Sequence, residues 1–153
     1  MIYEIHNAEP MELDTIVLDL NGTLAVNGVI PKGVPEKLEK LRKLGFKILL
    51  FTGNVRNDAD KLCGDLGIEY KIALTSDDKE KLMKKLGISN CVAIGNARAD
   101  IGTFKHAKLS ILTLQAEGIH TGAIEHVDVI VPSINDAFDF LLSKATFNAT
   151  MRE

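Results

Sequence analysis

Two rhythms of apolar and polar residues take turns along this chain. Short unbroken apolar runs, Thr15-Ile16-Val17-Leu18, Lys47–Phe51, Cys91–Ile94 and Leu109–Leu114, lack the polar alternation of a half-exposed strand. They predict strands buried on both faces. Between them the period is helical. Pro35 opens a helix where its missing N–H costs nothing, and Leu38, Leu41 and Leu44 form its stripe. The phrase Leu44-Gly45-Phe46 recurs as Leu66-Gly67-Ile68 and Leu86-Gly87-Ile88. Each predicts a helix that stops at a left-handed glycine cap. A strand follows each time: Lys47–Phe51, Lys71–Leu74 and Cys91–Ile94. Helix, glycine, strand, repeated in this way, is the pattern of an α/β fold, a doubly wound, Rossmann-like parallel sheet.

The remaining pieces extend that plan. Residues 1–14, with Ile2, Ile5 and then Pro10, predict an edge strand or arm ahead of the first core strand. Asn27-Gly28, between Leu24-Ala25-Val26 and Val29-Ile30, predicts a hairpin flap over the end of that strand. Ile101 and Phe104 mark a short helix, Ile119–Glu125 another, and Val127–Val131 a strand. Pro132 starts the last helix, with Ala137, Phe138, Leu141 and Leu142 inward. Phe138 and Phe140 read as core or subunit contact, and the tail Phe147–Glu153 is expected to fray. With no linker or low-complexity segment, residues 1–153 read as a single domain.

Composition narrows the function classes. The chain is 46% hydrophobic and 25% charged, with net charge −3, so it has no basic footprint for nucleic acid. No apolar run approaches the roughly 20 residues of a membrane span. Met1–Glu9 has neither a basic start nor an apolar signal core. Cys63 and Cys91 lie in separate elements and read as buried thiols of a reducing, cytoplasmic compartment.

The candidate chemistry sits after the strands. The first strand ends at Asp19, with Asn21, Gly22 and Thr23 in the turn. The second ends at Thr52-Gly53-Asn54, and Val92-Ala93-Ile94 ends at Gly95-Asn96 and leads to Asp100. In a parallel sheet these ends converge on one crevice. It holds hydroxyl and N–H groups suited to an anion, and hard oxygens suited to Mg²⁺. The missing cation is Lys79. It lies three and four residues before Leu82 and Met83, on their face, whereas Lys81, Lys84 and Lys85 fall on the solvated side. A lysine on a buried stripe is expected to be paired. Arg98 reads as a solvated surface residue, with a substrate contact as the alternative, and His106 and His120 have no spaced partners for a metal.

These residues resemble the haloacid dehalogenase (HAD) superfamily, and within it the soluble relatives of the P-type ATPase phosphorylation domain. Asp19-Leu20-Asn21-Gly22-Thr23-Leu24 resembles the first motif, Thr52 the second, Lys79 the third, and Gly95-Asn96 through Asp100 the fourth. Thr52-Gly53-Asn54-Val55-Arg56, followed by Ala59 and Leu66-Gly67-Ile68, is similar to the ATPase stretch after its threonine. The likeness spans roughly residues 13–145. It implies that Asp19 attacks phosphorus to form an aspartyl-phosphate. Thr52 and Lys79, with the Gly22 and Gly53 backbone, would hold the phosphoryl oxygens. Asp19, the carbonyl of Asn21, and Asn96 would meet Mg²⁺, with Asp100 in or just behind that shell.

The chain departs from the family at three places. Asn21 stands where HAD phosphatases have their acid–base Asp, Asn96 follows Gly95 where Asp is usual, and Asn54 replaces an ATPase Asp. An amide exchanges no proton at neutral pH, so a factor of ~10²–10⁴ is at stake. The lost charge also predicts weak Mg²⁺ binding. Asp19 and Thr52 are 33 positions apart, which leaves no room for a nucleotide-binding or cap domain. The expectation is a capless, slow, Mg²⁺-dependent phosphatase or phosphotransferase, acting on a phosphorylated small molecule or macromolecule. Its open site would take a large substrate or be covered by a second copy in a homo-oligomer. The alternative is a non-catalytic phosphate- or partner-binding module on the same scaffold.

Overall fold

The computed structural model describes residues 1–153. Six parallel strands form the main sheet, in the order β5-β4-β3-β6-β7-β8. They are β3 (Thr15–Leu18), β4 (Lys47–Thr52), β5 (Glu69–Ile72), β6 (Cys91–Gly95), β7 (Leu109–Thr113) and β8 (Val129–Val131). The chain builds outward from β3 to β5, then crosses back to lay β6 on the other side of β3. That reversal is the switch point where a doubly wound sheet opens a crevice. Asp19 and Asn96 follow the two strands that flank it.

Alternate residues feed the two faces, as a period of two requires. Ile16, Leu18, Ile48, Leu50, Val92 and Ile94 join the larger cluster, against α1 (Val34–Lys43), α2 (Ala59–Leu66) and α5 (Ile134–Leu142). Val17, Leu49 and Phe51 pack on the other face against Met83 of α3 (Ser76–Leu86). Ala93 and Leu112 join Phe104 of α4 (Ile101–Phe104) there. Gly45, Gly67 and Gly87 all have positive φ, as the recurring phrase predicts. No helix is long and apolar enough to cross a membrane.

Several boundaries differ from the sequence expectation, each for a physical reason. The edge strand is Glu69–Ile72 rather than Lys71–Leu74. Its register on β4 pairs Leu49 with Glu69 and Thr52 with Ile72, and an edge position tolerates its polar residues. Leu44 is half-exposed at the end of α1, outside the stripe. The last β-strand starts at Val129, and the 119–125 helix is a 3₁₀ segment over Thr121–His126. Helix α5 starts after Ser133, whose hydroxyl caps it, not at Pro132. The N-terminal arm is not an edge of the main sheet. Its strands β1 (Ile2–Tyr3) and β2 (Met11–Glu12) form a separate antiparallel pair. The tail does not fray: Lys144–Met151 is helix α6. Phe147 on it is fully buried and stacks on Tyr3 at 3.9 Å and on Phe140 at 4.9 Å. Sequence periodicity misses this helix because one residue carries its burial. The flap is a minimal hairpin, with Val26 and Val29 exchanging two hydrogen bonds around Asn27 and Gly28, both at positive φ.

Candidate functional site

The loops that follow β3, β4, β5, β6 and β7 all lie at the carboxyl end of the sheet. Asp19 continues β3 by one ladder bond, its N–H donating to the Ile94 carbonyl at 3.0 Å. The chain then folds back tightly, with Thr23, Leu24 and Ala25 donating to the carbonyls of Leu20, Asp19 and Leu20. Gly22, at φ +80°, presses on Asn96, and a Cβ there would lie 2.3 Å from the Asn96 Nδ2. Only glycine satisfies both constraints.

Lys79 is the centre of the arrangement. Thr75 and Asp78 form a capping box that fixes the start of α3 and sets Lys79 on its inner face. Its side chain is 2% exposed, and its ammonium is the group that bonds. It donates to Asp19 Oδ1 at 2.7 Å and to Asp100 Oδ1 at 2.6 Å. The other Asp100 oxygen accepts the N–H groups of Asn96 (2.9 Å) and Ala97 (2.8 Å). That carboxylate fits only because residue 95 is glycine, whose Cβ would sit 2.5 Å from it. Both Asp100 oxygens are thus engaged, so Asp100 orders the loop and the lysine and has no oxygen to spare for a metal. Asp19 keeps its second oxygen free, with its side chain 11% exposed.

Two carboxylates and one ammonium leave a buried charge of −1, and the titration directions follow. Burial pushes the Asp19 carboxyl up to about 7, the Asp100 charge adds to this, and Lys79 opposes it. Burial pulls the Lys79 ammonium down, but Asp100 and Asp19 outweigh it and hold it above the ordinary lysine range.

The remaining predicted residues gather around this core. Thr52 is fully buried, its hydroxyl oxygen accepting the Asn54 N–H at 2.9 Å and leaving its own proton to donate. The Gly53 N–H takes no partner, whereas the Gly22 N–H is spent on the Ala25 carbonyl at 2.8 Å. Gly22 as a phosphate donor is therefore corrected: it supplies room, and Asn21 holds the turn's uncommitted N–H. Asn54 receives the Ala59 N–H on its side-chain oxygen and so starts α2. Asn96 is 5% exposed, accepts the Thr23 hydroxyl at 3.1 Å and donates to the Gly118 carbonyl at 2.8 Å. Arg98 lies exposed, as expected, and His106 and His120 pair with Glu80 and the Gly122 N–H.

A divalent cation fits the donors present. The free Asp19 oxygen, the unclaimed Asn21 carbonyl and one lone pair of Asn96 Oδ1 are hard oxygens, and the net negative charge favours a cation. Asn21 Oδ1 is also buried without a partner, an acceptor ready for a bound group. Sequence reasoning missed Gln115 and Glu117. Both follow β7 at the same edge, and the strand-end rule extended to that strand would have found them.

Residues 28–108 match the haloacid dehalogenase-like hydrolase family; this stretch holds Thr52, Lys79, Asn96 and Asp100 and starts after Asp19. A soluble P-type ATPase-like phosphatase of Methanocaldococcus jannaschii is 23% identical over 133 residues. The alignment takes in 83% of this chain but 48% of that protein, so the chain spans about half its length. The cobalt-bound deoxy-D-mannose-octulosonate 8-phosphate phosphatase of Haemophilus influenzae superposes with a TM-score of 0.71 at 15% identity, over 92% of this chain and 93% of that one. The 3-deoxy-D-manno-octulosonate 8-phosphate phosphatase of Moraxella catarrhalis, solved with magnesium, phosphate and KDO, gives 0.67 at 20% identity, over 90% and 92%. At these identities the structural likeness is one of fold.

Proposed function

This chain belongs to the haloacid dehalogenase-like hydrolases, and we propose that it is a slow phosphatase or phosphotransferase working through an aspartyl-phosphate on Asp19. The observation that carries this reading is the Asp19–Lys79–Asp100 cluster at the switch point of the sheet. In the first step the free Asp19 oxygen attacks phosphorus, and the bond to the leaving oxygen breaks. Thr52, the Gly53 N–H and Lys79 hold the phosphoryl oxygens as charge moves onto them. In the second step water attacks the phosphorus, inorganic phosphate leaves and the carboxylate is regenerated. Asn21 has no proton to give or take in either step, so both protons pass through solvent. This supports slow turnover, by ~10²–10⁴-fold relative to a site with an acid–base carboxyl. Asp19, the Asn21 carbonyl and Asn96 would hold Mg²⁺, which supplies charge neutralisation when bound.

Incubation with Mg²⁺ and p-nitrophenyl phosphate or acetyl phosphate tests the proposal. Turnover above that of Asp19→Asn supports it, and equal rates reject it. Asn21 and Asn96 also favour a second reading, a phosphate- or partner-binding module without chemistry. That reading predicts beryllofluoride binding with no phosphate release. No domain within residues 1–153 covers the mouth, which supports a large substrate or enclosure by a second copy of this chain.

A further inference from the structure

The segment after β7 fastens several loops of the site at once. Gln115 uses both ends of its amide. Its oxygen accepts the Ile134 N–H at the start of α5 at 3.1 Å. Its nitrogen donates to the carbonyls of Gly22, at 3.3 Å, and Thr23. Two residues on, the Glu117 carboxylate accepts the N–H of Asn27 at the flap tip and the guanidinium of Arg56, at 2.9 Å. Gly118 receives the Asn96 amide, and the His120 N–H returns to the Asn96 carbonyl at 3.0 Å. One short loop thus holds the nucleophile's turn, the flap, the loop after β4 and the loop after β6.

We propose that Gln115 and Glu117 are positioning residues of the phosphoryl-transfer centre. This rests on the reading of Asp19 as nucleophile. A trans peptide points its C=O opposite to its N–H. The Gly22 N–H is tied to Ala25, so the Asn21 carbonyl points the other way. The Gly22 carbonyl is then tied to Gln115. Fixing both peptide planes fixes where the Asn21 carbonyl sits relative to Asp19, while the Leu20 carbonyl, taking the Thr23 and Ala25 N–H groups, orients the peptide that carries the Asn21 N–H. Glu117 joins the flap tip to Arg56 through one carboxylate oxygen. An error of about 1 Å in such a site costs on the order of 10²-fold in rate.

The test compares Gln115→Leu, Glu117→Ala and Glu117→Gln with the parent, on p-nitrophenyl phosphate and by amide hydrogen exchange. Gln115→Leu and Glu117→Ala each lower kcat at least about tenfold, with KM within about threefold, because placement and not ground-state binding is lost. Glu117→Ala speeds exchange of the Asn27 amide. Glu117→Gln keeps an acceptor oxygen and restores most of kcat. Parental kcat in both disrupting variants, or a kcat loss that Glu117→Gln does not rescue, overturns the proposal. A parent no faster than Asp19→Asn removes the catalytic reading alone. Positioning is then read from beryllofluoride affinity, which Gln115→Leu weakens at least about tenfold, and equal affinity overturns it. A parent that neither turns over nor binds beryllofluoride rejects both proposals.

Discussion

The two sides of the crevice are built differently. Toward β7, side-chain hydrogen bonds from Gln115, Glu117 and Asn96 tie the Asp19 turn, the flap and two loops together. Toward β5, beyond Arg56, the side-chain bonds stay local: Asn54 takes the Ala59 N–H, and Asp78 takes the Leu74 and Thr75 N–H groups. The side chains of Val55 and Leu74 flank Gly53 and make no bond across the crevice, being 80% and 67% exposed. Arg98 beside them is exposed. A fastened wall suits groups that must hold still while charge moves, and an open apolar wall suits a leaving group that must come and go. Between them stands Lys79, the one residue that bonds to carboxylates from both β3 and β6 loops.

The sharpest way to break this contrast is to remove its centre. Lys79→Met leaves Asp19 and Asp100 facing each other without a counter-charge. Losing one partner of a buried ion pair costs about 3–5 kcal/mol, and losing a positive charge at a transferring phosphoryl group costs about 10²–10³-fold in kcat. Urea melts and p-nitrophenyl phosphate kinetics read both. A variant of parental stability would mean that the cluster is not the buried centre. Next in size is Asn21→Asp on the fastened side, which restores an acid–base group and raises kcat about 10²-fold. An unchanged or lower rate argues that residue 21 does not face the leaving oxygen.

Acidity gives a third, smaller test. Asp19 titrates near 7 in the folded protein against an ordinary 3.8. The folded state therefore keeps this proton where the unfolded chain has lost it. Its contribution to stability is full below the ordinary value and is lost as pH rises through about 7. The nucleophile needs the ionised form, so at limiting Mg²⁺ the rate falls about tenfold per pH unit below that point, and saturating Mg²⁺ moves the limb to lower pH. Asp19→Asn flattens the stability slope over the same range. A rate limb that stays near pH 4 at both limiting and saturating Mg²⁺ would count against the buried carboxylate. Smallest of all, Leu74→Ser on the open wall raises KM for p-nitrophenyl phosphate about threefold by removing apolar contact, and leaves stability within about 0.5 kcal/mol. A large loss of kcat instead would erase the difference between the walls.

What the sequence revealed follows the same division. Asp19, Thr52, Lys79, Asn96 and Asp100 were legible because each is placed by local order, a strand end or a capped helix start, and the parallel sheet then gathers them. Lys79 was legible for a further reason, since a lone lysine on a buried stripe requires a partner. The fastened wall was not legible. Its bonds join residues about 90 positions apart, Glu117 to Asn27 and Gln115 to Thr23, and depend on β7 lying beside β6. Gly22 lies in the turn after the first strand, where its N–H reads as a donor to the crevice, and the turn's own bond to Ala25 spends it. The edge strand and the last helix escaped because β5 is polar on its outer side and α6 is anchored by Phe147 alone.

The most direct measurement is to trap the phosphorylated protein. Brief exposure to acetyl phosphate with Mg²⁺, acid quench and fragment mass spectrometry should find one phosphoryl group on Asp19, released by hydroxylamine as an acyl phosphate must be. It should be absent from Asp19→Asn, and longer-lived in the parent than in Asn21→Asp. A phosphoryl group on another residue, or phosphate release with Asp19 never modified, would contradict the account.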